Sequence, residues 1–352
     1  MEILSSSSVE SPTLDCYLLT LAPHIPQVLI SAHQYQNINE IAKRLPTLRV
    51  AGFETDLLNS HTDFAVRLAG SELHAAKRNQ FDALASSDAD SAWSRVLATV
   101  DHPTVRDQWL EFDVEPNNSL FPTPSIFFGL NDASTLERFT SAPKDVCGLV
   151  QQLALNSVPT QTMQLFDRVY QALPTIAHVF QVGLMLGRPE RGLRVVIRGL
   201  AAEAMAGFLN HVKWPGNIHA VVETAKFWQQ FSDWIFLSVD VGNELGPRIG
   251  LVLKFYRHIT GYDPRWNRIL SELQTSEYCS SEHKEALLNW PGVTRESNCE
   301  LNWPEHLKSV ATLFSNETEP VFKRILNHAK IVLMDGEIST VKIYYGYYLD
   351  WN

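Results

Sequence analysis

The sequence has few cysteines, no long apolar run and no concentration of positive charge. Its four cysteines lie far apart and form no CxxC pair, which is typical of reduced cytosolic thiols. No apolar stretch approaches the roughly 20 residues that a membrane-spanning helix needs, and the start of the chain lacks a secretory signal pattern. The formal net charge is -10, whereas nucleic-acid-binding proteins usually carry a basic patch. These absences predict a cytoplasmic protein with neither a nucleic-acid nor a membrane partner.

Several catalytic motifs are also missing. The sequence contains no P-loop, no GxGxxG, no GxSxG and no HExxH. It has no Asp-rich DDxxD, which disfavours the all-helical isoprenyl synthases, and its twelve histidines show no metal-ligand spacing. Function must therefore be sought in the arrangement of the secondary structure.

What the sequence does contain is a recurrence of five strand–turn–strand units, each preceded by a helical stretch. Strands that are close in sequence pair antiparallel, because a parallel return needs a long crossover. The predicted strand pairs are 49–57 with 63–69, 107–115 with 124–130, 175–186 with 193–199, 233–241 with 249–257, and 326–334 with 339–348. Helical periodicity and capping residues predict helices at 71–99, 159–173, 200–211, 217–231, 264–274 and 304–314.

These units predict an α+β fold, a ten-stranded antiparallel β-barrel of five αββα repeats with the helices outside. We assign residues 1–26 to an N-terminal tail and lead-in, and 27–352 to a single barrel domain. The helices must cover the apolar face of the strands, which directs the polar face into the lumen. An open, helix-backed sheet with one wet face is the alternative.

The predicted inner face combines cations, acids and aromatic rings. The inward cations are Arg67, Arg194, Arg198, Lys254, Lys330 and Lys342. Buried cations need partners, so we expect a polyanionic ligand such as a diphosphate, or pairing with luminal acids. The inward rings are Trp109, Trp234, Phe236, Tyr256, Tyr344 and Tyr348. Their π faces could stabilise a carbocation.

Three short segments carry a family resemblance. The sequence GFET at 52–55 followed by FAVRL at 64–68, and the closing strand VKIYY at 341–345, resemble the αββα-barrel aromatic prenyltransferases, including the cyanobactin peptide prenyltransferases. The resemblance in layout extends over nearly the whole chain from about residue 27. It implies the barrel known as the PT barrel. It also implies transfer of an isoprenyl group from dimethylallyl or geranyl diphosphate to a peptide, amino acid or small aromatic acceptor.

The resemblance also implies roles for individual residues. Glu54 would be the general base that removes a proton from the nucleophile or arenium intermediate. The diphosphate would be held by Arg67, Lys254 and Lys342, assisted by Arg194 or Arg198. The allylic cation and the acceptor would be surrounded by Tyr256, Tyr344, Tyr348, Trp109, Trp234 and Phe236.

The second hairpin departs from the family pattern. It offers Glu111 and Asp113 where family members often carry a base. These acids could bind Mg²⁺ or a cationic acceptor side chain, or they could mean that the donor site is lost or rebuilt; no cofactor is otherwise indicated. Two alternatives therefore stay open. One is a non-prenylating peptide-tailoring lyase or cyclase, and the other is a carrier that binds a ligand in the lumen.

Overall fold

The five predicted hairpins are all present and join into one closed antiparallel barrel. A computed structural model describes residues 12–69, 79–81, 92–114, 121–130, 143–154, 158–186, 192–255, 263–313 and 318–352. The strands are β1 (Val50–Asp56), β2 (His61–Leu68), β3 (Val105–Phe112), β4 (Ser125–Leu130), β5 (His178–Leu184), β6 (Leu193–Arg198), β7 (Trp234–Val241), β8 (Leu245–Lys254), β9 (Gly292–Thr294), β10 (Pro320–Met334) and β11 (Glu337–Trp351). Each of β1–β7 pairs with the next strand, β8 pairs with β10, β10 with β11, and β11 returns to β1. The ring has ten strands, with β9 added outside it, so the prediction of a closed barrel is confirmed and the open sheet is wrong.

Helices cover the outside of this barrel. Those in the described part of the chain are α1 (Asp15–Leu21), α2 (Ala32–Ala42), α3 (Ala92–Thr99), α4 (Pro143–Ala154), α5 (Thr160–Gln171), α6 (Ala202–His211), α7 (Ile218–Gln229), α8 (Arg265–Thr275), α9 (Ser281–Asn289) and α10 (Glu305–Leu313). Their apolar faces meet the outward residues of the strands in one continuous core, as Trp228 of α7 and Ile331 of β10 illustrate. None of the described helices is long and apolar enough to span a membrane.

Most predicted helices are confirmed within two residues, namely α5, α6, α7, α8 and α10. Of the predicted helix at 71–99, only 79–81 and 92–99 lie among the described residues, and both are helical. Helices α1, α2, α4 and α9 were not predicted. A local signal for α2 exists, because Ser31 and Gln34 form a capping box at its start. The four cysteines have free thiols, as predicted.

The β10–β11 hairpin is the longest, with 15 residues in each strand. Asp335 and Gly336 form its two-residue turn, and both have positive φ, which suits the turn that matches strand twist. The first half of β10 extends beyond the predicted strand and pairs with β9. Trp290, just before β9, holds this extension because its indole N–H donates to the carbonyls of Ile325 and Gly346 at 3.2 and 3.1 Å.

The inside of the barrel is divided into two ends of different character. Val196, Phe236 and Val252 form a small apolar cluster that is separate from the outer core, with Phe180 and Trp234 packed against it. The other end is lined by charged side chains from β6, β7, β8, β10 and β11. The predicted alternation is thus confirmed, with apolar side chains outward and a mixture of charged, aromatic and apolar side chains inward.

Candidate active site

Glu54 lies where the closing strand meets the first strand of the barrel. In the β1–β11 ladder, Glu54 stands opposite Tyr344 and Asp56 stands opposite Lys342. This register brings the Lys342 ammonium diagonally onto the Glu54 carboxylate, where the two form an ion pair. The Tyr344 hydroxyl donates a hydrogen bond to the same carboxylate. Glu54 is 3% exposed, so the structure places the predicted base inside the lumen.

The ion pair keeps Glu54 charged in spite of its burial. Burial raises the pKa of Glu54, but the ammonium groups of Lys342 and Lys330 and the hydrogen bonds from Lys342 and Tyr344 outweigh it and lower the pKa. Burial likewise lowers the pKa of Lys342, but the nearby carboxylates of Glu54, Asp63 and Glu111 raise it overall. Glu54 is therefore an ionised but weakly basic carboxylate for as long as Lys342 contacts it.

A small cavity of about 40 Å³ lies beside this pair. Its charged lining residues are Arg194, Asp240, Arg248, Lys330 and Lys342. The Arg194 guanidinium binds both oxygens of Asp240, at 2.8 and 3.4 Å. Gly250 faces Lys330 across the β8–β10 strands, and a Cβ at this glycine would collide with the Lys330 side chain. The absence of a side chain at Gly250 therefore leaves space for the Lys330 side chain. Arg248 is a lumen cation that was not predicted from the sequence.

Lys330 is the most perturbed of these cations. It is 7% exposed, and burial together with the charge of Arg194 lowers its pKa to about 7, against the attraction of Glu54 and Asp240. A lysine with such a pKa gains its full charge when an anion binds beside it. Four cations and one carboxylate thus line the cavity, and the charge of one of these cations, Lys330, depends on its surroundings.

One further predicted cation, Arg198, lies at the apolar end of the lumen. The Arg198 guanidinium lies over the rings of Trp234 and Phe236, 5.0 and 5.9 Å from their centroids. Phe236 packs against Phe180 with 4.9 Å between ring centroids. Arg198 is four residues along β6 from Arg194, about 13 Å at the usual strand rise. The structure therefore does not bring Arg198 to the cavity.

Lys254 and His328 connect the two ends. The Lys254 ammonium lies 3.1 Å from Nδ1 of His328 and 3.4 Å from the side-chain oxygen of Asn327. Burial and the charges of Lys254 and Lys330 hold the pKa of His328 well below its ordinary value, so its ring is neutral, and Nδ1 also lies 3.0 Å from the side-chain oxygen of Asn327. The His328 ring stacks on Tyr344 at 3.9 Å. Burial and the charges of Glu54 and Glu111 raise the pKa of Tyr344 well above its ordinary value, so its hydroxyl stays protonated.

The remaining predicted residues lie elsewhere on the barrel wall. Arg67 and Trp109 stand opposite each other in the β2–β3 ladder, outside the cavity lining. Tyr348 stands opposite Val50 near the end of the β1–β11 pairing. Tyr256 lies outside the described residues.

One group of acids in the described part of the chain has the geometry to hold a metal ion. It consists of Glu54, Asp63 and Glu111, one carboxylate from each of β1, β2 and β3. Of the two acids that the sequence suggests as possible metal ligands, Glu111 belongs to this group, whereas Asp113 lies beyond the end of β3 and outside it. Asp63 was missed, although its alternation with Arg67 places both on the inner face.

Comparisons with known proteins show the same architecture. The sequence matches no protein-family model and no curated protein. Its structure is similar to that of AnaPT from Neosartorya fischeri, at a TM-score of 0.57 and 11% identity over 96% of this chain and 95% of that one. It is also similar to the prenyltransferase PriB in its apo form, at a TM-score of 0.55 and 13% identity over 94% of each chain.

A third similar structure is 6-dimethylallyltryptophan synthase from Micromonospora olivasterospora in complex with DMASPP and Trp. The TM-score is 0.54 and the identity 11%, over 94% of this chain and 95% of that one. At such low identity these likenesses establish architecture rather than substrate. Together with the closed ring of ten antiparallel strands and the outer helices, they show that this chain has the αββα-barrel fold of the aromatic prenyltransferases.

Proposed function

We propose that this protein is a prenyltransferase. It would transfer an allylic isoprenyl group, dimethylallyl or geranyl, from its diphosphate to an electron-rich aromatic or heteroatom nucleophile. The acceptor would be an amino acid, a small aromatic compound or a peptide. The observation that carries the proposal is Glu54, an ionised carboxylate that is buried in the lumen, paired with Lys342 of the cationic cavity and opposite Tyr344 in the β1–β11 ladder. The likeness to prenyltransferase structures, one of them in complex with DMASPP and Trp, supports the same class of reaction.

The two ends of the lumen fit the two halves of an allylic diphosphate. Arg194, Lys330 and Lys342 would receive the diphosphate, since guanidinium and ammonium groups are strong donors to phosphate oxygens. The bond between the allylic carbon and the diphosphate oxygen breaks, and its electron pair leaves with the diphosphate. The rings of Phe236 and Tyr344 would shield the allylic cation from water, and the nucleophile then forms the new bond.

Glu54 would take the proton that the alkylated acceptor releases. Its contact with Lys342 makes it a weak base, so it needs to be freed before it can act. The cavity of about 40 Å³ has room for only a few water molecules, and the lysine side chains must move to admit a diphosphate. We infer that Lys342 turns from Glu54 to the diphosphate, which raises the pKa of Glu54 at the moment when a base is needed.

The test uses dimethylallyl or geranyl diphosphate with tryptophan, tyrosine and short peptides as acceptors, and mass spectrometry as readout. We expect an isoprenyl mass increment on at least one acceptor. Glu54→Gln should abolish turnover but retain pyrophosphate binding in calorimetry, whereas Lys330→Met should weaken pyrophosphate binding. Glu223→Gln, the same change on the exposed face of α7, is the matched control and should behave like the wild type.

Two results would contradict the proposal. One is the absence of any mass increment together with the absence of pyrophosphate binding by the wild type. The other is an acceptor that binds in the lumen equally well in the wild type and in Glu54→Gln and never gives a covalent product. A carrier would behave in this way.

A further inference from the structure

Three carboxylates from neighbouring strands meet on the inner wall of the barrel. Glu54 stands opposite Asp63 in the β1–β2 ladder, and Glu111 stands opposite Ala65 in the β2–β3 ladder. The three acids are 3%, 3% and 7% exposed, and one oxygen from each lies within 4.8 Å of the other two. Some point therefore lies within about 2.8 Å of all three oxygens, close to the about 2.0–2.6 Å of Mg²⁺ and Ca²⁺ coordination.

The hydroxyl of Ser125 is a fourth oxygen near the acids, and it indicates a ligand independently of them. Ser125 begins β4 directly opposite Glu111, so both side chains stand on the same inner face with Cβ atoms about 5 Å apart. Ser125 is 2% exposed, and its hydroxyl has no hydrogen-bond partner among the described residues. A buried hydroxyl without a partner is costly, so something that binds oxygen is expected beside it.

Contacts with neighbouring groups fix the orientation of Asp63, the acid on the middle strand of the three. One oxygen of Asp63 accepts from the backbone N–H of Val114 at 3.3 Å and lies 2.8 Å from Nε2 of His61. These contacts fix the position of the carboxylate on the inner wall. Hydrogen-bonded carboxylates of this kind are typical of metal sites, whose outer partners orient the ligands.

Lys342 is the natural competitor at this site. Its ammonium pairs with Glu54, and the charges of Asp63 and Glu111 act on it as well. Because Lys342 also lines the neighbouring cavity, a cation held by the acids would release it toward Arg194 and Lys330, and Glu54 would act as a base only after this cation has left it.

We propose that Glu54, Asp63, Glu111 and Ser125 form a binding site for a hard divalent cation of the Mg²⁺ and Ca²⁺ class, for which Lys342 competes. Carboxylate and hydroxyl oxygens suit such ions, whereas softer metals prefer sulfur or imidazole. The site needs no isoprenyl donor, so it stands or falls separately from the proposed reaction.

The test uses the full chain after a chelator has removed any bound metal. Mn²⁺ binding is measured by electron paramagnetic resonance, with no diphosphate present. The wild type should bind one Mn²⁺ that Mg²⁺ or Ca²⁺ displaces. Asp63→Asn and Glu111→Gln should each lose this binding, and Ser125→Ala should weaken it. Asp113→Asn removes a nearby carboxylate outside the cluster, and its Mn²⁺ binding should be unchanged.

Lys342→Met should change Mn²⁺ binding in the opposite direction, to tighter binding, which a variant with a damaged fold would not show. Removal of the competing ammonium should tighten Mn²⁺ binding by on the order of tenfold or more. Circular dichroism of each variant establishes that it is folded. Failure of the wild type to bind Mn²⁺, full binding by folded Glu111→Gln, or weaker binding by folded Lys342→Met would each overturn the proposal. Displacement of bound Mn²⁺ by methylammonium but not by Mg²⁺ would do so too, since it would indicate an ammonium site.

Discussion

Replacement of Lys330 by methionine is expected to stabilise the protein near neutral pH. Burial and the charge of Arg194 lower the pKa of this lysine from 10.5 to about 7. One pKa unit corresponds to about 1.4 kcal/mol, so the charged form of Lys330 costs the fold at most about 5 kcal/mol below pH 7. Methionine keeps most of the side-chain volume and carries no charge, so on the order of 2–4 kcal/mol of that cost should be recovered.

The sign of the pH dependence follows from proton binding. Between pH 7 and about 10.5 the unfolded chain holds a proton on Lys330 that the folded chain releases, so the stability of the wild type rises with pH across this window. Lys330→Met removes this rise, and the difference between variant and wild type should shrink from pH 6.5 to pH 9.5.

Urea unfolding, followed by tryptophan fluorescence at several pH values, measures this difference. Lys323→Met is the matched control on the same strand, because Lys323 is ion-paired with Asp350 at 2.7 Å on the barrel wall. It should leave the pH dependence of the wild type unchanged. A lower free energy of unfolding for Lys330→Met than for the wild type at every pH would refute the argument. A higher one whose difference from the wild type does not change with pH would refute it too.

Three further changes test the structure around the site. Gly250→Ala should displace the Lys330 side chain and weaken pyrophosphate binding in calorimetry, because the new Cβ would occupy its place. Trp290→Phe removes an indole N–H shared by carbonyls of β10 and β11 and should lower the free energy of unfolding by about 1–2 kcal/mol in urea titrations. Asp233→Asn weakens a two-bond contact with the Arg265 guanidinium at 2.8 and 3.0 Å, and thermal unfolding should show a loss of about 1 kcal/mol or less.

The barrel was predictable because its main contacts are local. Each hairpin joins strands that are close in sequence, and the period of two assigns side chains to the inner or outer face, as Lys330 and Ile331 show. The first half of β10 was missed because its partner β9 is three residues long and leaves no pattern of its own. The capping box of Ser31 shows that α2 could have been predicted.

The site was predictable as a set of residue types but not as a set of contacts. Glu54, Arg194 and Lys342 were assigned to the lumen from alternation, and the structure places them there. The grouping of Asp63 with Glu111, in place of Asp113, depends on the register of three strands.

The sequence alone determined the hairpins, the inward face of each strand and hence the mixture of acids, bases and rings in the lumen, since these follow from local pairing and a period of two. The tertiary structure decided which charges meet. Lys342 contacts Glu54 because β11, nearly 300 residues after β1, closes the ring at one particular register. Only this closure creates the buried interior that lowers the pKa of Lys330, and only this closure brings Lys342 to Glu54, whose pKa the ammonium groups of Lys342 and Lys330 lower against the effect of burial. No local pattern encodes it.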